Sequence, residues 1–206
     1  MPIIFVVQYL WNHRLLHTFT SPVVWQTIDG GARQYVSRIL NKINCAFVHK
    51  QSAVDKIIRQ HDHMTLCRTD RQGRPIEEDF AHVIFATHLE EILRMLGEGA
   101  TEQERDVLKM FHLTAEKHIL NLEKVAGLAD KEVLATMNPS PLKMPRNQFK
   151  SFKFKHPAYD ALTLEAQARF DKIQGHDRVW YAGAWMGHGF HPIPSTRTWW
   201  IRFSRT

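Results

Sequence analysis

Cysteine is scarce in this sequence, and its scarcity limits the class of protein. The 206 residues include two cysteines, Cys45 and Cys67, whose spacing matches neither a metal-binding nor a redox motif. A disulfide framework is excluded, because such scaffolds use cysteine densely. We therefore predict two reduced, buried thiols in an intracellular protein.

Long apolar runs are also missing. Residues 1–11 are apolar, but crossing a bilayer takes about 20 such residues. The segment also lacks the basic start and the small-residue cleavage site of a signal peptide. We expect no transmembrane segment and no signal peptide, and the default location is cytoplasmic.

A strong excess of charge is absent as well. The formal net charge is +6 and hydrophobic residues make up 44% of the chain, which is ordinary for a globular protein. The length allows a single domain with a sizeable core. The mildly basic balance suits anionic ligands such as dinucleotides, and we expect no nucleic acid as a partner.

One motif is missing that dinucleotide-binding proteins usually carry. No G-x-G-x-x-G follows a predicted strand anywhere in the chain. That motif holds the dinucleotide pyrophosphate at the N-terminus of a helix. A dinucleotide site in this chain would therefore lack the usual phosphate cradle.

The most informative stretch that is present covers residues 179–191. Val179, Trp180 and Tyr181 favour a strand, and glycines follow at positions 183, 187 and 189. Closely spaced glycines let the backbone approach a flat or anionic ligand. The pattern is typical either of a cradle for a cofactor or of a glycine-rich turn between core elements.

A second glycine-containing segment precedes a predicted amphipathic helix. A strand is expected to end at Ile28, and Gly30 and Gly31 form the turn. This glycine pair suits close approach to an anion, or it is a plain tight turn. The apolar face of the helix consists of Val36, Ile39, Leu40 and Ile43.

Hydrophobic periodicity predicts the other elements of the first half. Residues 2–10 favour a strand or a buried helix, and residues 46–66 favour two strands joined by a hairpin at residues 61–63. Residues 80–88 predict a strand buried on both faces. His61 and His63 belong to the hairpin turn, and because no third ligand follows in a recognisable pattern we predict no metal site.

Helix-capping residues and recurring apolar residues predict the elements of the second half of the chain. A helix over residues 89–96 should end at Gly97, and a capping box at residues 101–104 should begin a helix that reaches Phe111. Lysines alternate with phenylalanines over residues 143–155, which favours an edge strand over a single-stranded nucleic-acid site. A further helix is expected to end at Gly175, with one apolar face formed by Leu162, Ala166, Phe170 and Ile173.

Several of these segments resemble the flavin-containing amine oxidase superfamily. The closest likeness is to its predicted NAD/FAD-binding oxidoreductases associated with cyclopropane-fatty-acid synthases. The specific matches are residues 25–36, 156–160 and 183–191, the last reading G-A-W-M-G-H-G-F-H. The resemblance implies a mixed α/β (α+β) chain with an incomplete FAD/NAD(P)-binding, amine-oxidase-like fold that lacks the N-terminal Rossmann βαβ unit.

The resemblance also implies a cofactor and the residues beside it. FAD would be bound non-covalently and would accept a hydride from the substrate, so the flavin would carry the chemistry. His88 is as well explained by a core edge as by cofactor contact, and Trp185 can equally belong to the core. The implied cofactor-binding residues are Gly30, Gly31, Val54, Ala86, Thr87, Gly183, Ala184, Trp185, Gly189, Phe190 and His191.

The match breaks near Leu120 and stops at Pro192, which implies a fragment. FAD-domain parts are expected at about 30–100 and 157–191, substrate-domain remnants at about 1–29 and 101–156, and an aberrant tail at 192–206. We expect a fragment of an FAD-dependent oxidoreductase that is inactive alone, with a small-molecule or lipid-linked substrate and a functional link to cyclopropane-fatty-acid synthase. No catalytic acid, base or nucleophile can be named. The alternative is a non-catalytic truncated binding or remnant protein.

Overall fold

The computed structural model describes residues 2–12, 15–17, 28–43, 47–123 and 132–187. The α-helices are α1 (Ile3–Asn12), α2 (Arg33–Leu40), α3 (Leu89–Leu96), α4 (Glu102–Lys109) and α5 (Ala161–Arg169). The strands are β1 (Val54–Arg59), β2 (Met64–Thr69), β3 (Pro75–Phe80), β4 (Val83–Phe85), β5 (Leu113–Glu123), β6 (Glu132–Met137), β7 (Gln148–Pro157) and β8 (Val179–Tyr181). The chain is a mixed α/β protein with several small sheets. Among the described residues, no helix is both long and apolar enough to cross a membrane.

The first sheet is three-stranded and antiparallel in the order β1-β2-β3. The predicted hairpin at residues 61–63 is confirmed, with Arg59 paired to Met64 on either side of it. The turn into β3 is held by the Asp70 carboxylate, which accepts a 2.8 Å hydrogen bond from the Arg74 amide. The sequence does not predict β3, because its acidic run lacks β-forming side chains.

The second sheet pairs β4 with β8 in parallel, although the two strands are far apart in the sequence. The third sheet is antiparallel in the order β6-β5-β7. The prediction that the lysine- and phenylalanine-rich segment forms an edge strand is therefore confirmed for β7. Its partner β5 aligns Glu116 with Phe154 and His118 with Phe152.

The core lies where α3, α4 and α5 meet β1, β4 and β8. Helix α3 buries residues at helical spacing, and Gly97 ends it with a positive φ of 50°. The predicted capping box is confirmed, since the Thr101 hydroxyl accepts from the Glu104 amide and the Glu104 carboxylate accepts from the Thr101 amide. The most deeply buried apolar side chains of this cluster are Ile57, Met64, Ile92, Leu96, Val107, Leu108, Ala166, Phe170, Ile173, Val179 and Tyr181.

The predicted strand over residues 80–88 is shorter and less buried than expected. Strand β3 ends at Phe80, and β4 covers only three residues. Val83 and Phe85 are buried, whereas Ile84 is 44% exposed. Burial on both faces was therefore wrong, because only one face of β4 packs against the core.

The apolar face predicted for the fifth helix is wrong at one position. Ala166, Phe170 and Ile173 are buried, but Leu162 is 45% exposed. The α-helix ends at Arg169 and tightens into a 3₁₀ turn at Phe170–Lys172. Thr163, which is fully buried, takes the place of Leu162 on the buried face, because residues 163, 166, 170 and 173 also follow helical spacing.

Three other predictions are corrected or limited by the structure. Of the two alternatives predicted for residues 2–10, the structure shows the helix, over residues 3–12, but it is only partly buried: Phe5 packs against Tyr159, whereas Ile3 is 78% exposed. Helix α2 forms, but none of its residues is buried within the described part of the chain. Cys67 is free but only partly buried, because its place on β2 faces the open side of the first sheet, and Cys45 lies outside the described residues.

Candidate cofactor-facing edge

The carboxyl ends of β4 and β8 lie side by side. Val83 pairs with Val179 and Phe85 with Tyr181. The pairing continues one step further, since the Ala182 amide donates a 2.8 Å hydrogen bond to the Phe85 carbonyl. In open α/β sheets, ligands bind at the carboxyl ends of parallel strands.

The structure brings part of the predicted cofactor set to this edge. Ala86 and Thr87 follow β4 directly and are exposed. Gly183 and Ala184 follow β8, and the chain then makes a 3₁₀ turn over Ala184–Met186. We call these segments, residues 86–88 and 182–185, the β4–β8 edge.

Gly183 is required by its neighbour rather than by its own backbone angle. Its φ is 176°, which is extended backbone open to any residue. A Cβ at Gly183 would lie 2.2 Å from the Trp185 indole Nε1. The glycine therefore makes room for the Trp185 ring, a reason that the sequence pattern alone does not reveal.

Trp185 belongs to the core, and its indole nitrogen lies beside Gly183 at the β4–β8 edge. The ring is 4% exposed and packs edge-on against Phe111 at 5.2 Å and Phe170 at 5.3 Å between ring centroids. Its Nε1–H has no hydrogen-bond partner among the described residues. A buried indole N–H usually has an acceptor, so Trp185 carries an unsatisfied donor that lies beside the edge but out of contact with solvent.

Two glutamine side chains fix the chain around β8. Gln167 on α5 donates to the Trp185 carbonyl at 3.1 Å and to the Gly187 carbonyl at 2.7 Å. Gln174 accepts from the Tyr181 amide at 2.9 Å and donates to the Tyr181 carbonyl at 3.1 Å.

A buried ion pair holds the other side of β8. The Glu104 carboxylate accepts hydrogen bonds from Arg59 at 2.5 Å and 3.0 Å and from the Tyr181 hydroxyl at 2.5 Å. Burial alone would raise the pKa of Glu104, but these donors and the Thr101 amide hold its pKa below the ordinary value. Burial, and then the hydrogen bond to Glu104, raises the pKa of Tyr181. The network joins β1, α4 and β8.

The charge at the edge suits an uncharged part of a ligand. Helix α3 begins just after the edge, and His88 gives it no side-chain cap. Its first turn carries Glu90 and Glu91, which oppose an anion at a helix N-terminus. The edge thus offers backbone groups and the Thr87 hydroxyl, and it can position a planar ring better than a phosphate.

The other predicted cofactor residues lie elsewhere or are not described. Val54 begins β1, where its carbonyl accepts from Arg94 at 3.3 Å. Gly30 and Gly31 form a turn with φ of 72° and 81° ahead of the unpacked α2. No contact among the described residues brings these three to the β4–β8 edge. Gly189, Phe190 and His191 lie outside the described residues.

A separate cleft lies between residues 48–52 and 68–72. It is basic, but Arg68 is paired with Glu78 at 2.9 Å and Arg71 donates to Gln51 at 2.6 Å. None of the predicted cofactor residues that the structure describes lines this cleft.

Comparison with known proteins adds no relative. The sequence matches no protein-family model, and no curated protein matches it significantly. The amine-oxidase resemblance is therefore carried by the residues quoted above and stays a prediction.

Proposed function

We propose that the β4–β8 edge forms part of a flavin site, and that this chain is a fragment of an FAD-dependent oxidoreductase. One observation supports the proposal most. The Ala86–Thr87 and Gly183–Ala184 pairs, both taken from the amine-oxidase resemblance, meet at the carboxyl ends of two adjacent parallel strands. Ligand sites of α/β sheets occupy this position.

The residues of the edge fit a flat aromatic group. The exposed residues Ala86 and Thr87 offer backbone groups and a hydroxyl to a ring and its polar atoms. The flavin would accept the hydride, and the chain would position and shield the ring. We assign no acid or base at the edge, where His88 is the titratable side chain, and the substrate would be a small or lipid-linked molecule.

This chain is proposed to bind FAD weakly and to be inactive alone. It contains no G-x-G-x-x-G motif to hold the pyrophosphate, and the acidic first turn of α3 repels phosphate. We expect the purified protein to carry no stoichiometric flavin absorbance. A yellow protein with one flavin per chain would refute weak binding.

A pair of alanine variants tests the site itself. Ala86→Glu places a carboxylate at the carboxyl end of β4, where it should repel the anionic cofactor by about 1 kcal/mol, or roughly fivefold in affinity. Ala81→Glu, exposed beside the amino end of the same strand, is the matched control. Equal quenching of FAD fluorescence by the two variants would exclude this edge as the binding site.

A non-catalytic binding protein is the second candidate, and the exposed apolar face of α2 favours it. Val36 is 43% and Ile39 53% exposed, and such faces commonly mark contact surfaces. A single cooperative melt with low binding of a hydrophobic dye would favour a self-sufficient module. Strong dye binding without a cooperative melt would favour a remnant that folds poorly.

A further inference from the structure

We propose that Glu116, His118 and His156 form a binding site for a divalent first-row transition metal on the β5–β7 surface. Their ligand atoms all lie within 4.8 Å of one another. This site is separate from the β4–β8 edge and does not depend on a flavin.

The strand register creates the cluster. Glu116 and His118 alternate along β5, so both side chains emerge on one face. His156 of β7 pairs with Thr114, two residues along from the Glu116–Phe154 pair, and its side chain therefore reaches the same face diagonally. The sequence shows only an E-x-H pattern on β5, because His156 is brought near by the register of the sheet.

Both imidazoles point toward one carboxylate oxygen. His118 Nε2 lies 3.1 Å and His156 Nε2 3.6 Å from Glu116 Oε2. Ligands of a tetrahedral zinc ion, at bond lengths near 2.1 Å, are about 3.4 Å apart. The two glutamate–histidine separations therefore already suit a shared metal, and only the two ring nitrogens need to approach each other.

His156 supplies a second, independent observation. Its side chain is 46% exposed, but its Nε2 atom lies out of contact with solvent and has no hydrogen-bond partner among the described residues, since 3.6 Å is too long for a hydrogen bond. Buried polar atoms are rarely left unsatisfied. A metal ion would accept this nitrogen and would also take the carboxylate that now accepts from His118.

Aromatic side chains surround the cluster. Phe154 lies edge-on to His118 at 4.9 Å and tilted to His156 at 5.9 Å between ring centroids, and the two imidazoles stack at 5.8 Å. Because Phe154 is 43% exposed, these contacts orient the imidazole rings but leave the cluster accessible to metal ions from solvent. Two imidazoles and one carboxylate are the ligand set of zinc sites with an open position and of non-haem iron(II) sites.

Calorimetric titration of the chelator-treated full chain with Zn²⁺ tests the site. We expect one equivalent to bind, and Co²⁺ to give visible d–d absorption. Glu116→Gln keeps the side-chain shape and should weaken Zn²⁺ binding at least about tenfold, as should His156→Gln. His63→Gln is the matched control. His63 also lies near two carboxylates, Asp62 and Asp79, but outside the proposed site, so this variant should leave Zn²⁺ binding unchanged.

Two results would overturn the proposal: no stoichiometric heat with wild-type protein, or equal affinity in the wild type and in Glu116→Gln. Should a variant lose its circular dichroism spectrum, the wild type still decides the question. Zn²⁺ should shift the imidazole resonances of His118 and His156 first. Shifts confined to other histidines would place the metal elsewhere.

Discussion

The region around β4 and β8 and the β5–β7 sheet differ in how much of their apolar surface is covered. In the first region, aromatic rings pack on one another, and Phe170 is 2% and Tyr181 1% exposed. In the second, Phe149 is 54%, Phe154 43% and Met137 65% exposed. The same residue types thus form a packed core in one place and an open surface in the other.

This difference shows that hydrophobic periodicity predicts a helix or a strand but not which element packs against it. Strand β7 and helix α5 both carry recurring apolar side chains. Helices α3 and α4 and the strand pair β4–β8 cover α5, whereas β7 is an edge strand guarded by lysines. We expect substitutions in the first region to lower the free energy of unfolding, and substitutions in the second region to change it little.

The largest expected contrast comes from truncating one phenylalanine in each region. Phe170→Ala should lower the free energy of unfolding by about 3–5 kcal/mol, because the cavity would open among Phe111, Tyr181 and Trp185. Phe154→Ala should cost less than about 1 kcal/mol. Urea denaturation of both variants measures the contrast, and similar losses would show that the two regions are equally packed.

The second-largest expected loss of stability comes from breaking the ion pair between Arg59 and Glu104. Glu104→Gln retains the capping box but leaves Arg59 without its counter-charge. We expect a loss of about 3 kcal/mol, at the lower end for a broken buried pair because Arg59 keeps some exposure. Glu102→Gln, exposed in the first turn of the same helix, should cost less than about 1 kcal/mol. A small effect at Glu104 would mean that the network does not hold β8.

Low pH should remove the stabilisation that the Arg59–Glu104 ion pair provides in the wild type. The folded pKa of Glu104 lies below its ordinary value of 4.5, so its ion pair stabilises the fold above that pH and loses its effect as pH falls through the folded pKa. The gap in unfolding free energy between wild type and Glu104→Gln should be constant near neutrality and shrink below about pH 4.5. A gap that persists in acid would assign the effect to packing.

Much of the fold follows from sequence because its signals are local. The capping box at Thr101, the glycine that ends α3 and the hairpin at residues 61–63 each depend on neighbours in the chain. Strand β3 was missed because its acidic residues are uncommon in strands. The exposure of Leu162 was missed because Leu162 and Thr163 both fit the helical spacing, and the more hydrophobic residue was expected in the core.

The candidate site could be predicted only in part, because its contacts are long-range. The glycine run after β8 marked the region, but the clash that makes Gly183 necessary depends on the rotamer of Trp185. Gln167 and Gln174 act through backbone carbonyls and amides that no spacing reveals. The E-x-H pattern on β5 acquires its third ligand only from the register with β7.

The smallest expected effect concerns the contact between α1 and the turn after β7. The Tyr159 hydroxyl is buried without a partner among the described residues, and burial raises its pKa to about 12. Tyr159→Phe should change stability by less than about 1 kcal/mol at neutral pH. The wild type should lose stability as pH rises from 10 toward 12, and the variant less, because ionised Tyr159 favours unfolding. Identical alkaline profiles from unfolding curves would contradict this burial.

Amide and indole chemical shifts during FAD titration test the flavin site most directly. The Trp185 indole N–H, together with the amides of Ala86, Thr87 and Gly183, should move as FAD is added. The Trp180 indole, next to His82 at the opposite end of the strand pair, should stay in place. Shifts confined to the cleft at residues 48–52 and 68–72, or no shifts at millimolar FAD, would contradict a flavin at the β4–β8 edge.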